Sequence, residues 1–232
     1  MRHPGVITAS LTGLDRHTGV LLFGGSFDPP TRAHAAVADR ARNQLFGPRG
    51  LLVLVPASRS PHKDTAPRAS DHTRLDMLDA VAAGLDPARV WTEELDRAED
   101  NTPSYWVDTL AAARQRIPSE IPLRFLIGAD QALSAQAWHR WDDIEAIAEP
   151  AVVLRTPIHT RPMLRRELAA SGAWDDEAID RWVSRVLDVP MLDASATEAR
   201  QLIAERAPRA AIERLILPDV HRLAQRERCY DA

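Results

Sequence analysis

Cysteine is nearly missing. Cys229 is the only one in 232 residues, so no internal disulfide can form and a disulfide-stapled scaffold is excluded. No apolar run approaches the roughly 18 residues that cross a bilayer, and no signal-type apolar segment occurs, which makes the cytoplasm the expected location. Positive charge is not in excess either: the formal net charge of −4 argues against non-specific nucleic-acid or membrane binding. No cluster of His, Cys and carboxylates has metal-ligand spacing, and there is no internal repeat or low-complexity tract. Lysine is the scarcest charge, since Lys63 alone is lysine among 29 basic residues and the other 28 are arginine. An ammonium is a compact point charge suited to phosphate, and its place in Pro61-His62-Lys63 makes Lys63 a functional candidate.

What is present reads as an ordinary globular chain, 45% hydrophobic and 27% charged, long enough for one large α/β domain. Short apolar runs at 20–23, 51–55, 123–128 and 151–154 have the length and continuity of strands buried on both faces. Further strands are expected at 89–93 and 186–192, with helical periodicity from Ala35 to Phe46, from Ser70 or Asp71 onward, and after Thr102-Pro103-Ser104. This alternation predicts a Rossmann-like, doubly wound parallel sheet in a single domain with a C-terminal helical part. Residues 1–18 lack any period and are expected to form a loose extension to a domain spanning 19–232. The stretch 155–188 reads as a helical insertion that could be a lid, an oligomer contact or scaffold.

The stretch Gly24-Gly25-Ser26-Phe27-Asp28-Pro29-Pro30-Thr31-Arg32-Ala33-His34 joins the first strand to the first helix. Glycines that let the backbone approach a ligand, followed by the unpaired N–H groups of a helix start, make a phosphate site. Thr31 is placed to cap that helix, and His34 falls in its first turn. Gly128 and Asp130 follow a later strand at the edge where open α/β sheets bind ligands, and a carboxylate there can accept ribose hydroxyls. A second helix start, Ala194-Ser195-Ala196-Thr197-Glu198-Ala199-Arg200, offers Ser195 as cap and Thr197 and Arg200 in the first turn, where a guanidinium can meet a triphosphate.

These residues stand in an order that resembles the nucleotidyltransferase superfamily with the GxFDPxHxGH signature, most specifically the bacterial nicotinate-nucleotide adenylyltransferases. Similar segments continue through Pro61-His62-Lys63, Ser104-Tyr105-Trp106-Val107-Asp108-Thr109-Leu110, Phe125 to Trp138, Ser195 to Arg200, and the close at Leu217-Pro218 and Tyr230. Thr31 stands where the signature has its first His, Ala33 where it has Gly, and Ala196 where a second Ser is usual. The resemblance implies transfer of AMP from ATP to nicotinate mononucleotide in NAD biosynthesis, with Mg²⁺ arriving on the ATP. It implies His34, Lys63 and Arg200 as catalytic residues. ATP is then held by Gly24, Gly25, Ser26, Phe27, Thr31, His34, Gly128, Asp130, Ser195, Thr197 and Arg200, and the acceptor by His62, Lys63, Thr109 and Trp138, the indole stacking on the pyridine ring. Two other readings stay open: another small-molecule nucleotidyltransferase of the phosphopantetheine- or cytidylyltransferase-like kind, and a nucleotide-binding relative without catalysis. No nucleic-acid partner is expected, and the sequence sets no oligomeric state.

Overall fold

The computed structural model describes residues 11–58, 66–98, 104–192 and 194–231. His62 and Lys63 lie outside these residues. Five parallel strands, β1 (Val20–Gly25), β2 (Leu51–Pro56), β3 (Ala88–Val90), β4 (Leu123–Gly128) and β5 (Glu149–Val153), form one sheet in the order β3-β2-β1-β4-β5. Val20 is in register with Leu51 on one side and Leu123 on the other, so the chain winds outward in one direction through β2 and in the other through β4. That reversal opens a crevice beyond the carboxyl ends of β1 and β4.

The helices are α1 (Arg32–Phe46), α2 (Asp71–Ala82), α3 (Glu93–Asp96), α4 (Trp106–Arg116), α5 (Ala129–Ala132), α6 (Trp141–Ile147), α7 (Arg161–Ser171), α8 (Asp176–Ser184), α9 (Ala196–Ala204), α10 (Arg209–Glu213) and α11 (Pro218–Arg226). Alternate strand residues sort them into two layers. Leu22, Val53, Phe125 and Val152 point into a core shared with α4, α6, α7 and α8. Leu21, Leu54, Leu126 and Ala151 point into the opposite core, shared with α1, α2, α9, α10 and α11. The double winding follows from strands apolar on both faces, each needing a helical cover.

Three expectations change in detail. Residues 11–18 are not loose: Leu11 and Leu14 are buried in the first core, and the Thr18 hydroxyl donates to Phe46 O at 2.6 Å. Glu93 is not a strand residue. Thr92 O accepts from Asp96 N–H while the Thr92 hydroxyl donates to the Asp96 carboxylate, turning Glu-Glu-Leu-Asp into a single helical turn. The segment 186–192 is not a strand either, because only Val186 bridges to β5. Asp188 is drawn instead to Gln44 and Arg161, and Pro190 has no N–H to offer a ladder. The stretch 155–188 holds α7 and α8, whose Leu164, Leu168, Ile179 and Trp182 are buried in the core. Among the described residues no helix is long and apolar enough to cross a membrane.

Candidate functional site

The crevice at the switch point is a cleft of about 1060 Å³, with walls built by both ends of the sequence. Gly24, Gly25, Ser26, Phe27 and His34 line it from the first turn, Gly128 and Asp130 from the end of β4, and Ser195, Thr197 and Arg200 from the start of α9. Trp138 completes the side nearest α4, beside Tyr105 and Trp106.

Local geometry explains the first turn. A methyl group at Gly24 would stand 2.7 Å from the Trp106 indole, and one at Gly25 3.2 Å from the Phe27 ring. The glycines therefore make room for aromatic side chains, a different reason from the close approach of a ligand expected from the sequence. Phe27 itself has a φ of 46°, a left-handed conformation rare outside glycine, and its buried ring meets His34 edge-on at 5.5 Å between centroids.

Thr31 caps α1 as expected but does not line the cleft, where the resemblance had placed it with ATP. It is 1% exposed and lies behind the cleft wall, where it shares a reciprocal capping box with His34. The Thr31 hydroxyl accepts from His34 N–H at 3.2 Å, and the Thr31 N–H donates to His34 Nδ1 at 3.0 Å. Since Nδ1 is an acceptor, neutral His34 carries its hydrogen on Nε2, the tautomer that can donate to a phosphate oxygen. Ala33 is also buried outside the cleft lining, so its methyl group does not narrow the cleft.

The two turns are joined directly. Arg200 donates to Asp28 O at 2.6 Å and to Thr197 Oγ1 at 3.0 Å, while the Ser195 hydroxyl caps α9 by accepting from Thr197 N–H and Glu198 N–H. On the β4 side, Asp130 pairs with Arg155 at 3.3 Å. A methyl group at Gly128 would lie 2.3 Å from both partners, so glycine is what lets that ion pair cross the strand end.

Thr109 does not line the cleft. Its hydroxyl is fully buried and donates to Glu94 Oε1 at 2.9 Å, while Arg97 donates to Thr109 at 3.1 Å. Glu94, 4% exposed and a lining residue, carries no sequence signal, since it falls just past the 89–93 strand pattern in a stretch with no periodicity of its own. Burial pushes its carboxyl above the ordinary glutamate range, against the opposing pull of hydrogen bonds from Thr109 and Ser104 and the charges of Arg97 and Arg74. Arg74 was missed as well. Fully buried, it donates to Ser26 O and Ala57 O and so ties the turn after β1 to the turn after β2. A buried arginine in a helix carries no sequence signal that separates it from the many exposed ones.

A parallel α/β sheet with two capped helix starts, a histidine and an arginine converging on one crevice defines a nucleotidyltransferase-type architecture. The chain belongs to the cytidylyltransferase-like family, whose sequence model matches residues 22–202. Within it, the chain is similar to a probable nicotinate-nucleotide adenylyltransferase of Yersinia enterocolitica, 34% identical over 188 residues that cover 77% of this chain and 81% of the relative. A probable nicotinate-nucleotide adenylyltransferase of Stenotrophomonas maltophilia is 33% identical over 202 residues, covering 83% and 89%. Among solved structures, the Plasmodium falciparum nicotinic acid mononucleotide adenylyltransferase complexed with NaAD superposes with a TM-score of 0.67 over 92% of this chain and 98% of that one. At 18% identity that likeness is one of fold.

Proposed function

We infer that the chain transfers AMP from ATP to the 5′-phosphate of nicotinate mononucleotide, forming nicotinate adenine dinucleotide and pyrophosphate in NAD biosynthesis. The observation that carries this reading is the meeting of His34 and Arg200, far apart in sequence, in one cleft that Trp138 also walls. The names of the relatives support the choice of nicotinate mononucleotide over other acceptors.

In this reading an oxygen of the acceptor phosphate attacks the α-phosphorus as the bond to the β-phosphate breaks, so no covalent enzyme intermediate is needed. The protein's part is alignment and charge stabilisation. His34 donates from Nε2 to the α-phosphate. The start of α9, with Ser195, Thr197 and Arg200, receives the polyphosphate together with Lys63. Asp130 accepts from ribose, Trp138 stacks on the pyridine ring, and Thr109 acts at one remove through Glu94. Mg²⁺ enters on ATP and neutralises phosphate charge. The Asp28 carboxylate is already engaged by three donors and Asp130 by Arg155, a donor set that fits a metal held mainly by phosphate and water. One cysteine and dependence on ATP fit a reducing, cytoplasmic setting.

The deciding experiment is pyrophosphate release from MgATP with nicotinate mononucleotide, nicotinamide mononucleotide and phosphopantetheine offered in turn. Turnover that is fastest with nicotinate mononucleotide is expected. Preference for phosphopantetheine, or ATP binding without release for any acceptor, would overturn the reading.

A further inference from the structure

Asp28 gathers distant stretches of chain around a buried carboxylate. Oδ2 accepts from Arg68 N–H at 2.8 Å, and Oδ1 accepts from Ala69 N–H at 3.1 Å and from the Tyr230 hydroxyl at 2.7 Å. Its main-chain oxygen accepts from Arg200 at 2.6 Å. Arg68 and Arg200 line the cleft, whereas Tyr230, two residues from the end of the chain, is fully buried behind it.

We propose that Tyr230 is a positioning residue for the polyphosphate side of the cleft. Its hydroxyl locks the Asp28 side chain, and Asp28 in turn fixes Arg200 through its carbonyl and the returning end of the loop after β2 through its carboxylate. The inference rests on the assignment of Arg200 to ATP. The physical case is one of geometry. A carboxylate held by three donors has one orientation, and losing the shorter of the two bonds at Oδ1 leaves it on two backbone N–H groups alone, loosening the backbone beneath Arg68 and the carbonyl that holds Arg200. Burial and the neighbouring Asp28 charge keep the phenol protonated far above its ordinary range, so it donates throughout the physiological pH range. The aromatic side chains of the acceptor wall, Trp106 and Trp138, pack through Phe125 on the other face of the sheet, away from this junction.

The test is Tyr230→Phe, which keeps the ring and removes only the hydroxyl. Calorimetry with MgATP alone is expected to show affinity about tenfold weaker, the consequence of one lost hydrogen bond to a charged group. In steady state KM for ATP should rise while KM for the acceptor stays within about twofold. Val220→Ala, which thins the same buried tail without touching Asp28, controls for loosening and should lower Tm while leaving ATP affinity unchanged. Unchanged ATP affinity in Tyr230→Phe, or an equal loss in Val220→Ala, overturns the proposal. Because ATP binding is read without an acceptor, failure to transfer AMP to nicotinate mononucleotide would strike the proposed reaction and leave this measurement standing.

Discussion

His34 caps a helix and, in the proposed reaction, serves the phosphate as well, and substitutions can separate the two. Nδ1 accepts at the helix cap, and Nε2 is the nitrogen proposed to donate to the α-phosphate, so His34→Ala is expected to lose both about 1 kcal/mol of stability and about 10²- to 10³-fold in kcat. His34→Gln restores an ordinary capping box, since glutamine at that helical position accepts from the Thr31 N–H, and should keep Tm while losing the rate. Equal rates in His34→Gln and the wild type would remove His34 from catalysis. Glu94 gives a second residue-scale test, through pH. A carboxyl whose pKa is raised by folding contributes stability that is fully present below the ordinary value of 4.5 and is lost as pH rises through the raised value. Glu94→Gln stays neutral and can still accept from Thr109, so it should melt above the wild type near about pH 7, the gap closing as pH falls toward 4.5. Thermal scans across that range measure it, and a gap that widens on acidification would reverse the sign. His34 was legible from its motif. The orientation of its ring was not, because the reciprocal bond from the Thr31 N–H to Nδ1 emerges only once the helix start and the His34 side chain are placed together.

Strand ends and helix starts decide which glycines matter. At Gly24 a new methyl group meets the half-buried Trp106 indole, which packs against the core and cannot step aside. Gly24→Ala should therefore cost about 1 to 3 kcal/mol in urea unfolding. At Gly128 the same methyl group meets Arg155 and Asp130 side chains, and Arg155 is largely exposed, so its long side chain has room to shift. Gly128→Ala should leave the urea midpoint within about 0.5 kcal/mol of the wild type yet weaken ATP binding by separating the Asp130–Arg155 pair. Similar stability losses in the two variants would contradict this account. The long apolar runs that became β1, β2 and β4 were legible because a strand buried on both faces leaves an unbroken hydrophobic signature. The stretches 89–93 and 186–192 carried weaker patterns, and their fate was set by tertiary partners: the hydroxyl of Thr92 in the first, Gln44 and Arg161 in the second.

Across the whole molecule, aromatic side chains form a connected column from the cleft to the back of one helical layer. Trp106 meets Phe125, Phe125 meets Trp138, Trp138 meets Trp141 at 6.1 Å, and Trp141 stacks on Trp182 at 5.3 Å. Through Trp182 the column ties α8 to the ring system that supports Trp138. The aromatic wall stands on the α4 side of the cleft, apart from the first turn and the start of α9, so in the proposed reaction the acceptor ring and the polyphosphate of ATP take different sides. Nothing in the sequence joined these rings, because their contacts span the strand β4, the helix α6 and the far helix α8. Trp138→Ala should then raise KM for the acceptor about 10- to 100-fold, the worth of one lost ring stack, with KM for ATP unchanged. The same geometry predicts that nicotinate mononucleotide quenches tryptophan fluorescence in the wild type and that MgATP alone quenches it far less. In Trp138→Phe the acceptor-dependent quench should largely vanish while binding is partly retained, because phenylalanine keeps a face for stacking. A quench that persists in Trp138→Phe would place the acceptor ring against another indole, and Trp106, which packs over Gly24 on the same wall, would become the stacking surface.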